Sequence, residues 1–144
     1  MKKTIFSLIT GVLVLGLLYG CDRQSDQASA DEIKIGVILG FTGPIESLTP
    51  TMASSAELAM KEVSDSGLLL GGAKVSSVRA DSTCIDAGAA TSAAERLVTS
   101  DNVAAIMGAD CSGVTTAIAN NVAVPNGVTI ISPSATSPAL TDID

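Results

Sequence analysis

From Ile33 onward, short apolar runs rich in β-branched residues alternate with stretches of helical spacing, and turns of glycine, aspartate or serine separate them. "IKIGVIL" (33–39) is the first such run, flanked by Glu32 and Gly40, and predicts a buried strand. "TPTMASSAELAMKEVSDSG" follows the turn "GFTGP" and places Met52, Ala56, Ala59, Met60 and Val63 on one helical face. Thr49 is the expected N-cap there, Pro50 suits the first turn, and Gly67 stands just past the end. "AKVSSVRAD" (73–81) is a second strand, and "DAGAATSAAERLVTSD" a helix capped by Asp86 with Ala90, Ala93, Ala94, Leu97 and Val98 inward. "VAAIMGAD" (103–110) is a third strand, 112–123 a helix burying Val114, Ala117, Ile118 and Val122, and "VTIISPS" (128–134) a fourth strand. Strands joined through helices by short turns imply an α/β fold: a doubly wound parallel sheet, Rossmann-like, with helices on both faces.

The residues before Ile33 have a different character. Lys2 and Lys3 precede an uncharged run from Thr4 to Tyr19, and Gly20 is the small residue expected at a cleavage point. Residues 1–20 therefore predict a secretory signal peptide. Glycines at 11, 16 and 20 weaken the run as a membrane span. Leu18-Tyr19-Gly20-Cys21 resembles the lipobox of bacterial lipoproteins, which implies that Cys21 becomes an acylated N-terminus anchored in a membrane outside the cytoplasm. Residues 21–31, rich in Ser, Gln, Ala and Asp, then form a flexible tether to a domain spanning 32–144.

With Cys21 assigned to lipid, Cys84 and Cys111 remain. Outside the cytoplasm such a pair defaults to a disulfide, with two buried free thiols as the alternative. A bridge closing a loop of about 28 residues contributes roughly 3–4 kcal/mol on the chain-entropy account.

A net charge of −7 argues against a nucleic-acid partner. The absence of histidine removes Ser-His-Asp and Cys-His catalysis and the commonest transition-metal ligand. Glycines at 36, 40 and 43 do not make a dinucleotide fingerprint, and no Walker A sequence occurs. Asp81, Asp86 and Asp110 fall where solvated caps and turn residues normally stand, so no metal, cofactor or catalytic pair is expected from them.

In open parallel sheets, ligands bind beyond the carboxyl ends of the strands. That singles out "GFTGP", "DSTCID", "GADCSG" and "SPSATSP". Ser112 stands at the start of the third helix, where it can cap the helix or donate to an anion. Ser134 and Thr136 offer hydroxyls and backbone groups in a loop stiffened by Pro133 and Pro138.

Taken together, "IKIGVILGFTGP", "AELAMKEVSDSG", "CIDAGAATSAAERLV", "IMGADCSGVTTAIA" and "GVTIISPSATSPALTD" resemble the leucine/isoleucine/valine-binding type of periplasmic substrate-binding protein of ABC importers. The resemblance runs from about Glu32 to Asp144, and "GADCSG" and "ISPSATSPALTD" are its specific parts. It implies a type I binding-protein clamp of two lobes, of which this chain carries the first while the second is absent. It also implies a small amino-acid ligand, a membrane permease as partner, and no enzyme activity. By the resemblance, Ser112 binds the ligand carboxylate, Ser134 offers its carbonyl to the ammonium, and Thr136 offers hydroxyl and N–H to the amino-acid head. The family's disulfide falls at Cys84 and Cys111. Leu48 departs from the pattern, standing where many members carry an aromatic residue against the ligand. A ligand-sensing lobe of a receptor or regulatory protein with the same fold is the alternative reading.

Overall fold

The computed structural model describes residues 32–143. The signal peptide, the Cys21 anchor and the tether expected before Glu32 lie outside the described residues. β1 (Glu32–Leu39), β2 (Lys74–Asp81), β3 (Ala105–Gly108) and β4 (Thr129–Ile131) form one sheet in the order β2-β1-β3-β4. Every neighbouring pair is parallel, with Glu32 opposite Lys74, Ile35 opposite Ala105 and Ala105 opposite Thr129. The connections are helical: α1 (Thr49–Ser66), α2 (Ala87–Thr99), and α3 (Ser112–Ile118), which runs through a π-helical stretch (Ala119–Ala123) into a short α4 (Val124–Asn126). β3 and β4 are shorter than the apolar runs that announced them.

Alternation of the β1 side chains divides the core into two layers. Val37 and Leu39 meet Ala53, Met52 and Met60 of α1 on one face. Ile38 points to the other face, where Ala90, Ala94 and Leu97 of α2 and Val114, Ile118 and Val122 pack with Ile106. Both faces of β1 are covered, which is why its sequence reads as a continuous apolar run rather than an alternating one.

Two local expectations differ. Thr49 does not cap α1: the cap position is Leu48, with no side-chain bond, and the buried Thr49 hydroxyl donates to the Gly40 carbonyl at 3.0 Å. The buried stripe of α1 is also rotated from the expected one. Thr49, Ala53 and Ser64 are buried, Met52, Ala56 and Met60 are half-buried, and Ala59 and Val63 face solvent. Ser64 earns its place inward because its hydroxyl receives the Val75 N–H at 2.7 Å and donates to the Met60 carbonyl at 2.8 Å, so a polar group is buried fully bonded. By contrast, Asp86 caps α2 as expected, accepting from the Ala89 N–H at 3.0 Å. Gly67 ends α1 in the left-handed conformation, φ +66°.

Candidate functional site

β1 is the first strand and lies inside the sheet, so the chain leaves it toward β2 on one side and returns to β3 on the other. The switch point between β1 and β3 opens a crevice at the carboxyl ends of the strands. Four loops meet there: Gly40–Leu48 after β1, Ser82–Asp86 after β2, Ala109–Cys111 after β3 and Ser132–Ser137 after β4.

A hydrogen-bonded frame joins them. The Asp110 carboxylate accepts from the Gly40 N–H at 2.8 Å, the Ser82 hydroxyl at 3.3 Å and the Cys111 N–H at 3.1 Å. Its main-chain carbonyl accepts from the Ser134 hydroxyl at 2.7 Å. The neighbouring Ala109 carbonyl accepts from the Ser132 and Thr115 hydroxyls at 2.5 and 3.0 Å. Cys84 and Cys111 are joined by a disulfide with a Cα–Cα distance of 5.2 Å, which ties the loop after β2 to the start of α3.

Asp110 therefore corrects the reading of it as a solvated cap. It is 4% exposed, because its oxygens reach partners on two other loops instead of water. Asp86 alone among the three aspartates is a helix cap on the surface.

Ser112 also departs from the plain capping role. The cap position of α3 is Cys111, with no side-chain bond, and the Ser112 oxygen instead accepts the Thr136 and Ser137 N–H groups at 3.0 and 3.2 Å. Ser112, Ser134 and Thr136 are thus brought to one place, although 24 residues separate the bonded pair Ser112 and Thr136. Ser82 and Ser132 belong to the same frame, and Thr42 is held beside it by Asp81; none of the three was singled out. Hydroxyls at successive strand ends are the signal that could have found them.

The loop after β1 is held from the β2 side. Asp81 accepts the Thr42 hydroxyl at 2.6 Å and the Thr83 N–H at 2.8 Å. Arg79 sits 5.5 Å from the Phe41 ring centroid and donates twice to Glu57, at 2.7 Å each. The Arg79 guanidinium holds Glu57 below its ordinary value against the opposing effect of burial, with help from Ser77. For Asp81, burial is the largest single influence and raises its pKa. The Thr42 hydroxyl and the Thr83, Thr42 and Phe41 backbone N–H groups together outweigh it, so the carboxyl titrates below its usual range. A depressed carboxylate contributes stability above its ordinary pKa of about 3.9 and loses that contribution as pH falls through the folded value. Asp81→Asn should accordingly lower stability by about 1 kcal/mol at neutral pH. In thermal melts from pH 7 down toward pH 2, the gap between variant and wild type should shrink.

A separate cavity lies elsewhere. About 490 Å³ opens between α1 and the start of β2, lined by Glu57, Lys61, Ser64, Lys74 and Ser77 among others. Three of its charged groups are already engaged: Lys61 with Asp65, Glu57 with Arg79, and Lys74 with the Ser64 carbonyl. The strand-end crevice, with its convergent hydroxyls, is the better candidate for a ligand site.

The chain is similar to the leucine-specific-binding protein of Salmonella typhimurium, 29% identical over 141 residues, covering 98% of this chain and 35% of that protein. It is 31% identical over 127 residues to the Leu/Ile/Val-binding protein of Escherichia coli, covering 87% of this chain and 34% of the relative. Among solved structures, the substrate-binding protein of a branched-chain amino-acid transporter from Streptococcus pneumoniae, in complex with isoleucine, superposes with a TM-score of 0.69 at 33% identity. That match covers 77% of this chain and 31% of the other. The chain thus spans about a third of the length of the curated relatives it matches. Its parallel sheet with flanking helices is the fold of type I periplasmic binding proteins, which bind substrates for transporters and are not enzymes. The family model described as periplasmic binding protein matches residues 32–142, and the chain belongs to that family.

Proposed function

We propose that the chain is the first lobe of the substrate-binding component of an ABC importer, capturing an amino acid, branched-chain ones first, for a membrane permease. The arrangement around Ser112 carries this reading. Its oxygen accepts two backbone N–H groups, which leaves the hydroxyl hydrogen as a donor of fixed direction at the crevice. A ligand carboxylate is the acceptor that best suits it, since a bond to a charged acceptor is roughly twice as strong as a neutral one. Thr136 is exposed on the loop after β4, and because Ser112 takes its N–H, its hydroxyl is the group left for the ligand head. Ser134, whose own hydroxyl is turned onto Asp110, brings its main-chain carbonyl for the ammonium. Relatives named for leucine, isoleucine and valine support the choice of ligand.

The disulfide supports an oxidising compartment outside the cytoplasm. Acylation of Cys21 and the tether 21–31 would hold the domain beside the membrane that houses the permease.

Calorimetric titration of the intact protein with leucine, isoleucine and valine tests the reading. Saturable binding is expected, and Ser112→Ala should weaken it about tenfold or more, since the change removes the donor to the ligand carboxylate and also releases the Thr136 and Ser137 N–H groups, which should lower Tm as well. A wild-type protein that takes up none of the three would overturn the proposal.

A further inference from the structure

We propose that Asp110 is the positioning residue of the ligand-binding face: one buried carboxylate locks the loops after β1, β2 and β3 in a common frame, and its own main chain seats the loop after β4. The inference rests on the functional reading above for its ligand, and names the residue that gives the site its shape.

Asp110 is nearly inaccessible, yet the ion pairs among the described residues are Lys61–Asp65, Arg79–Glu57 and Arg96–Asp101. Its oxygens are shared among neutral donors on the three loops. A buried carboxylate without a cation is a poor device for stability alone, because desolvation of the charge opposes what the hydrogen bonds return. Its particular capacity is different: two oxygens that only accept can satisfy donors arriving from two other loops together with the next N–H of their own. One of those donors is the N–H of Gly40, where an added Cβ would lie 3.2 Å from the Cys84 Cβ and 3.4 Å from the Asp110 carboxylate. The loops are therefore closed tightly around this group.

The binding groups follow directly. Ser134 hangs from the Asp110 carbonyl. Cys111, whose N–H the carboxylate holds, precedes Ser112, and the Ser112 oxygen in turn holds Thr136 and Ser137. On the opposite side, Gly40 passes the frame to α1 through Thr49. Disturbing the carboxylate should thus move the proposed head-group contacts without touching the ligand.

Asparagine cannot replace it. One terminal atom becomes a donor, and it must face either the Gly40 or the Cys111 N–H, neither of which can rotate away. Ser82→Ala is the milder change, removing one donor and leaving the two N–H bonds in place.

The test uses the intact protein: leucine titration at a temperature well below the melting transition, and amide hydrogen exchange without ligand. Asp110→Asn should weaken leucine binding about tenfold and accelerate exchange at Thr136 and Ser137 by a similar factor, while β1 amides inside the sheet stay protected. Ser82→Ala should weaken binding roughly two- to threefold. A folded Asp110→Asn protein with a wild-type Kd, or with Thr136 and Ser137 exchanging as in the wild type, would show a purely structural role and overturn the proposal. If Asp110→Asn fails to fold, Ser82→Ala decides by the same two readouts: altered binding and exchange support the proposal, and unchanged values overturn it. A wild-type protein that binds no leucine sinks the functional reading instead. The exchange measurement then still decides whether Asp110 governs the loop after β4.

Discussion

Gly108→Ala should abolish stable folding. Gly108 stands at the end of β3, directly opposite Ile38 in the parallel pairing with β1. Its φ of +132° is a conformation that side chains rarely adopt, and a Cβ built there would lie 2.0 Å from the Ile38 carbonyl oxygen and 2.8 Å from the Ile38 Cγ2. The obstacle is the backbone of the paired strand, so no rotamer change relieves it. Relief requires β1 and β3 to part, and Ile38 is fully buried in the larger core cluster. A cost of about 4 kcal/mol or more is expected, a large share of the roughly 5–15 kcal/mol that holds a domain together. Guanidinium titration followed by circular dichroism should show the midpoint collapsing, with the protein mostly in the insoluble fraction at 37 °C. A midpoint close to wild type would mean that the β1–β3 contact is looser than described.

Removal of the Cys84–Cys111 bridge should have the next largest effect. The sequence separation of 27 puts its contribution at about 3–4 kcal/mol through the unfolded chain. For a domain of this size that corresponds to a fall in Tm on the order of 10–20 °C. Scanning calorimetry of the double serine variant, and of the wild type under reductant, should agree on the shift. Ligand affinity should fall as well, because the bridge ties the loop after β2 to the first turn of α3, where Ser112 stands. A reduced protein that melts with the oxidised one would remove the bridge from any account of stability.

Much of this architecture was legible from local pattern. The runs at 33–39, 73–81, 103–110 and 128–134 contain the strands, and Asp86 capped the helix it preceded. Both signals live within a few residues of chain. The misreadings share a different cause. Thr49 has the chemistry of a cap, but its hydroxyl is claimed by Gly40, which the returning loop carries back to it. Asp110 has the local look of a turn aspartate, and one partner does lie next door at Cys111. Its burial is decided by Gly40, 70 residues away, and Ser82, 28 away. Ser112 is similar, since the N–H groups that occupy its oxygen come from residues 24 and 25 positions on. Residue types and rough positions of the strand-end loops were therefore readable, whereas the bonds that frame them depend on the order of strands in the sheet.

That order also sets a timetable for the nascent chain. β1 is made first but occupies an interior place, and its neighbours arrive late: Glu32 waits for Lys74, and Ile35 waits for Ala105. Until then Val37, Ile38 and Leu39, all fully shielded in the finished molecule, have no sheet to join. Pairings between such distant residues close slowly, because the loop entropy falls due before the contacts that offset it. Synthesis can thus run well past α2 before the sheet has a centre, and the early strand stays available to any factor that holds a chain extended.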